Sequence, residues 1–320
     1  MSAPPGDDFD AILAEPAPSA SAVPPPAATT AGAELTGHAV HAEAPTFAEF
    51  SRNWDLYRDP VLAGIIAGAA LGLVGVFIVL RRAVFVTAAV SQAAGLGVAT
   101  AFLVAIHVGL ELPPVLVAFV FACLAALLLA MRPPARLPRE ATVGFLYLAC
   151  SALAIIVGDR ISQEAHDIAS ILFGTAVLVR PGDLVLVALT GALTMGGVIA
   201  SARGLAFSGF DPDAARVQGL PVSLLEAGLW LLVAAEVAVS TRALGALPVF
   251  AFAVLPAFAA LRLSRRLPQA LLIGALGGAF CGGLGYLAAF MFELPVGASQ
   301  TTIAALLAVA AFGLGRLRGR

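Results

Sequence analysis

Few side chains in this sequence could do chemistry, and they are scattered. Charged residues fill 12% of the 320 positions, and the basic ones are 18 arginines with no lysine. A GxxxxGK[ST] loop needs its lysine to reach the β/γ phosphates, so the chain is no conventional P-loop ATPase. Lysine Schiff-base chemistry is excluded on the same ground. Cys123, Cys150 and Cys281 lie far apart in apolar stretches without the CxxC spacing of a metal cluster. They read as small buried hydrophobes. His38 and His41, with Glu34 and Glu43 nearby, belong to an N-terminal tail and read as solvated. Glu164, His166 and Asp167 cluster in one loop, where they meet a cation or a binding partner or simply face water. Glu236 stands alone inside an apolar run. An ionisable group at bilayer depth costs about 2.5–3.5 kcal/mol to insert, so it marks a pathway or an internal pair. Its structural alternative is a contact to a buried hydroxyl or to an arginine such as Arg242. No Ser–His pair and no intramembrane ligand cluster is evident; no catalytic residue, cofactor or enzymatic activity is expected.

The elements that must carry these groups follow from composition. Hydrophobic residues are 60% of the chain, against about half in soluble proteins. Crossing a bilayer takes about 20 apolar residues of helix, and such runs recur from Val61 to the C-terminus. Unpaired backbone groups are not tolerated in lipid, and the alternation of a barrel is absent, so the runs are helices. The expected fold is an all-α, polytopic integral membrane bundle of about nine spans (eight to ten). The spans are drawn at residues 61–80, 85–107, 113–131, 141–158, 183–201, 222–240, 245–263, 269–291 and 299–316. The segment 167–179 is apolar but too short to cross. Residues 1–45, rich in Pro, Ala, Ser and Thr, read as a disordered tail, residues 46–59 as an amphipathic interfacial helix with Phe47, Phe50, Trp54 and Tyr57, and residues 60–320 as the membrane domain. Arginine-rich short loops stay cytoplasmic. Arg81 and Arg82, then Arg132, Arg136 and Arg139, then Arg262, Arg265 and Arg266, and finally Arg316, Arg318 and Arg320 therefore set the C-terminus inside and the tail outside.

Two further patterns stand out. Gly64, Gly68 and Gly72 recur every four residues, and a second glycine cluster runs from Gly274 to Gly285; both suit close helix packing. The loop 202–221 contains a short helix signal. Asp211 is its N-cap, Pro212 the first helical residue and Asp213 a first-turn carboxylate; Gly219 stops it with Pro221 beyond. A helix of about two turns, capped at both ends and displayed on the cytoplasmic side, suits a docking element for a soluble partner.

Three stretches carry a family resemblance: LAGIIAGAALGLVGVFIVLRRAVFVTAAVSQAAGLGVATAFLV at 62–104, FDPDAARVQGLPV at 210–222 and RALGALPVFAFAVLPAFAA at 242–260. With ILFG at 171–174, they resemble, in order, the membrane permease subunit of the metal-type ABC importers, which carry zinc, manganese or iron. The likeness covers residues 54–318. It implies a homodimer of permeases in the lipid bilayer of the cytoplasmic membrane, two P-loop ATPase subunits and an extracytoplasmic solute-binding protein, with no nucleic acid. It also implies ATPase docking at Phe210, Asp211, Asp213, Arg216 and Gly219. After the paired arginines that family usually reads Gly-Asp-x-x-Ser-His, with the acid and the histidine facing the pathway. Here Ser91 matches, but Ala88 and Gln92 occupy the two ligand positions, and neither a methyl nor a neutral amide is a good metal ligand. Ser91, Gln92 and Glu236 are the candidate pathway residues. A chelated or organic cargo, or an ion-coupled secondary transporter using Glu236, are the alternative readings.

Overall fold

The computed structural model describes residues 47–130, 139–161 and 179–317. The tail at 1–45, the segment 167–178, the cluster Glu164, His166 and Asp167, the ILFG stretch and the arginines at 132, 136, 318 and 320 lie outside the described residues. What is described is helical. The helices are α1 (Phe47–Arg52), α2 (Trp54–Leu80), α3 (Val84–Val108), α4 (Pro114–Ala130), α5 (Arg139–Asp159), α6 (Pro181–Phe210), α7 (Pro212–Val217), α8 (Val222–Leu244), α9 (Ala246–Leu263), α10 (Leu267–Met291) and α11 (Val296–Leu317). Among the described residues, 8 helices are long and apolar enough to cross a membrane. At 17 residues α4 is a shorter apolar one, about 25 Å long and at the low end of what spans a bilayer core.

α2 is the most buried helix of the set, packed by α10, α9, α6 and α8, while α3 packs on α4, α5 and α8. The two glycine stripes meet each other. A side chain at Gly68 would run into the Gly278 carbonyl and one at Gly278 into that of Gly68; Gly72 with Gly274 and Gly64 with Gly282 repeat the relation. Spacing of four residues keeps each stripe on one face, so two antiparallel backbones approach along their whole contact. Large apolar side chains such as Phe145, Leu148 and Ile155 on α5 face outward, as a helix bathed in lipid requires.

Two boundaries differ most from the spans drawn on sequence. α2 begins at Trp54 rather than after Pro60, so only α1 is separate from the first span. Aromatic packing holds this early turn: the Phe50 ring stacks 5.4 Å from Tyr57, and Phe290 at the end of α10 lies 5.1 Å from Phe50 and 5.0 Å from Tyr57. Pro60 is tolerated in the helix because packing outweighs its missing N–H. α6 runs on through residues 202–210 and has 30 residues, a length of about 45 Å against a hydrocarbon core of about 30 Å. Polar residues alone do not end a helix; Pro212 does, because it disfavours helical geometry at Asp211, which adopts φ −143° and ψ 87°.

Candidate functional site

The short helix α7 is held at both ends by local hydrogen bonds. The Ala214 N–H donates to Asp211 Oδ1 at 2.9 Å, with Pro212 in the first turn. At the far end the Gly219 N–H donates to the Arg216 carbonyl and the Leu220 N–H to the Ala215 carbonyl, both at 3.0 Å. This paired closure needs a left-handed residue, and Gly219 takes it at φ +77°. Arg216 pairs with Asp213 at 2.8 Å on the surface. Ala215 faces inward, while Phe210 is 77% and Val217 88% exposed. Its six residues agree with the length of about two turns read from sequence, and Asp211, Pro212 and Gly219 occupy the cap positions assigned to them.

Both strands of chain leading into and out of α7 meet Arg81, at the end of α2. Its guanidinium donates to the Leu205 carbonyl, to Ser208 Oγ and to Glu226 Oε1, each at 3.2 Å. The Arg81 side chain is 11% exposed and that of Glu226 46%. Burial pulls the Arg81 pKa below its ordinary value, and the adjacent Glu226 carboxylate opposes that shift. These contacts also set helix direction: the C-terminal ends of α2 and α6 share one end of the bundle with the start of α8. At the opposite end Arg242 pairs with Asp183 at 3.3 Å. Arg242 is therefore engaged with the start of α6 rather than with Glu236.

Glu236 is fully buried, at 0% exposure, between α8 and α6. The Ser240 hydroxyl donates to Oε1 at 3.1 Å and the Thr194 hydroxyl to Oε2 at 3.5 Å. Of the two contacts considered for it, the buried hydroxyl is the one present. On α3, Ala88 and Gln92 are four residues apart and share a face. Ser91 is buried and its hydroxyl donates to the Ala88 carbonyl at 2.9 Å, within its own helix. Gln92 is half-buried, and its Oε1 is a buried acceptor with no partner among the described residues. The structure thus places Ser91 and Gln92 on α3, Glu236 in the α6–α8 seam, and Phe210, Asp211, Asp213, Arg216 and Gly219 on α7 and its flanks. Among the described residues no three His, Cys, Asp or Glu side chains gather to hold a metal.

The sequence uses Arg81 to orient the chain and to align the paired-arginine motif, but its contacts are not legible there, because Glu226 lies 145 residues away. The Glu236–Ser240 contact did have a local signal, since residues four apart are neighbours on a helix.

The ABC 3 transport family model matches residues 53–315. The chain belongs to the ABC 3 transport family. The chain is 26% identical over 262 residues to the manganese transport system membrane protein MntC of Halalkalibacterium halodurans, covering 81% of this chain and 87% of that protein. It is 27% identical over 252 residues to the chelated iron transport system membrane protein YfeD of Yersinia pestis, covering 78% and 82%. Its fold is like that of PsaBC from Streptococcus pneumoniae, solved in complex with Fab, with a TM-score of 0.75 and 24% identity over 83% of this chain and 95% of that one. As an ABC 3 member the chain is a multi-pass membrane component of a transport system.

Proposed function

We propose that this chain is the permease subunit of an ABC importer that moves a divalent transition metal, zinc, manganese or iron, across the cytoplasmic membrane. ATP hydrolysis takes place on a separate subunit. The observation that carries this reading is α7: a short helix capped at both ends, at the tip of a helix longer than the bilayer core, with Phe210 and Val217 exposed beside it. Phe210, Asp211, Asp213, Arg216 and Gly219 form the docking surface for one ATPase subunit. Two permeases and two ATPases make the complex, and an extracytoplasmic binding protein delivers cargo. The C-terminus lies in the cytoplasm and the N-terminal tail outside, in keeping with the arginines at the α7 end of the bundle. Relatives named for manganese and iron transport support the cargo class.

Ser91 and Gln92 lie on the pathway helix, and the unpaired Gln92 Oε1 is an acceptor for a hydrated or chelated ion. Glu236 stands apart from this pair, as a structural contact joined to Thr194 and Ser240 in the α6–α8 seam. One specific observation favours a chelated cargo as the second reading: Ala88 and Gln92 lack the acid and imidazole that bind a bare ion. The test is uptake by proteoliposomes containing the permease, its ATPase and its binding protein, offered manganese(II) or chelated iron. ATP-dependent accumulation of the bare ion supports the first reading, accumulation of the chelate alone the second, and accumulation of neither removes both.

A further inference from the structure

We propose that Arg81 is the positioning residue through which movement of the docking helix reaches the pathway face of α3. This rests on the importer reading above and deepens it. The guanidinium holds both arms of the docking loop at once: Leu205 and Ser208 just before α7, and Glu226 just after it. A planar guanidinium donates in fixed directions, so three acceptors on two helices define its position far better than a flexible ammonium would. A small cleft beside it is lined by Phe77, Leu80, Leu205, Ala206, Gly209 and the exposed Phe210.

On its other side Arg81 is fastened to α3 with no slack. Arg81, Arg82 and Ala83 are the only residues between α2 and α3. All three N–H groups are bonded, to the carbonyls of Phe77, Val79 and Ile78 respectively, each at 3.0 Å. Arg82 closes the turn at φ +54°, a left-handed conformation usually given to glycine and kept only where the surroundings demand it. A displacement of α7 pulls on Ser208 and Glu226, then on Arg81, and turns this stiff elbow. Ala88 and Gln92 follow one and two turns into α3. The path from ATPase to pathway therefore runs through a side chain that touches neither ATP nor cargo.

The experiment uses the complete complex in proteoliposomes and compares ATP hydrolysis with manganese(II) uptake for wild type, Arg81→Gln, Arg81→Lys, Glu226→Gln and, as a control, Arg203→Gln, which removes an exposed arginine from α6. Arg81→Gln should keep the ATPase subunit bound and hydrolysing while uptake falls about tenfold, within the usual range of coupling between sites. Arg81→Lys and Glu226→Gln should raise the ATP used per ion by smaller factors, and Arg203→Gln should match wild type. Should the Arg81→Gln permease itself aggregate on gel filtration, and so be misfolded, the other two variants carry the comparison. Parallel loss of hydrolysis and uptake, release of the ATPase subunit, or an unchanged ratio in every variant overturns the proposal. A wild-type complex that binds no ATPase and moves no manganese removes the importer reading itself, and this proposal with it.

Discussion

Asp211 and Glu236 show how surroundings assign different duties to two carboxylates. Asp211 is a surface cap whose partner is a backbone N–H three residues on, and replacing such a cap by alanine costs about 1 kcal/mol. Asp211→Ala should therefore loosen α7 and weaken ATPase capture in a pull-down, while Asp211→Asn, which keeps an acceptor, should retain most of it. Glu236 bridges two hydroxyls inside the membrane. Glu236→Gln preserves hydrogen-bonding capacity and should leave uptake within about twofold, whereas Glu236→Ala orphans buried hydroxyls at about 1–3 kcal/mol and should lower the unfolding temperature in detergent. Uptake abolished in Glu236→Gln at an unchanged unfolding temperature would instead make Glu236 a pathway ligand. Gln92→His restores an imidazole where the family resemblance places one. It should raise uptake of bare manganese(II) relative to chelated iron, and equal ratios would count against Gln92 facing the cargo.

At the scale of elements, α2 and α10 depend on the absence of side chains between them. A methyl at Gly68 or Gly278 points into the opposing carbonyl, and overpacking a tight contact costs about 1–3 kcal/mol. Gly144 on α5 is also helical, but an added Cβ there meets nothing within 4 Å. Gly144→Ala should be neutral or stabilising by about 0.5–1 kcal/mol, and Gly68→Ala clearly destabilising, as read by thermal unfolding of the solubilised protein. Equal behaviour of the two would mean that the stripe does not hold the helices together. Both glycine clusters were visible in the sequence as faces fit for close approach. Their pairing was not, because any small-residue face can accept any other and only the packing of the whole bundle selects the partner.

For the molecule as a whole, topology makes a direct prediction. A protease added to intact cells should remove a tag at the N-terminus and spare one at the C-terminus, with the pattern reversed in inverted vesicles. The opposite result would put α7 on the wrong side for a cytoplasmic ATPase. Helix direction agrees across the bundle: Arg81 joins the ends of α2 and α6 on one side, and Arg242 joins Asp183 on the other.

The amino-acid sequence by itself determined the all-helical membrane fold, the exclusion of a conventional P-loop ATPase and the caps of α7. The first two follow from composition, and the third from contacts no more than five residues apart. Only the tertiary structure decided that Glu236 meets Thr194 rather than Arg242, and that Arg81 grips both arms of the loop around α7. Those outcomes join residues 42 to 145 positions apart. No local propensity encodes such pairings; they exist because helix packing brings the groups together and a buried polar atom must find a partner.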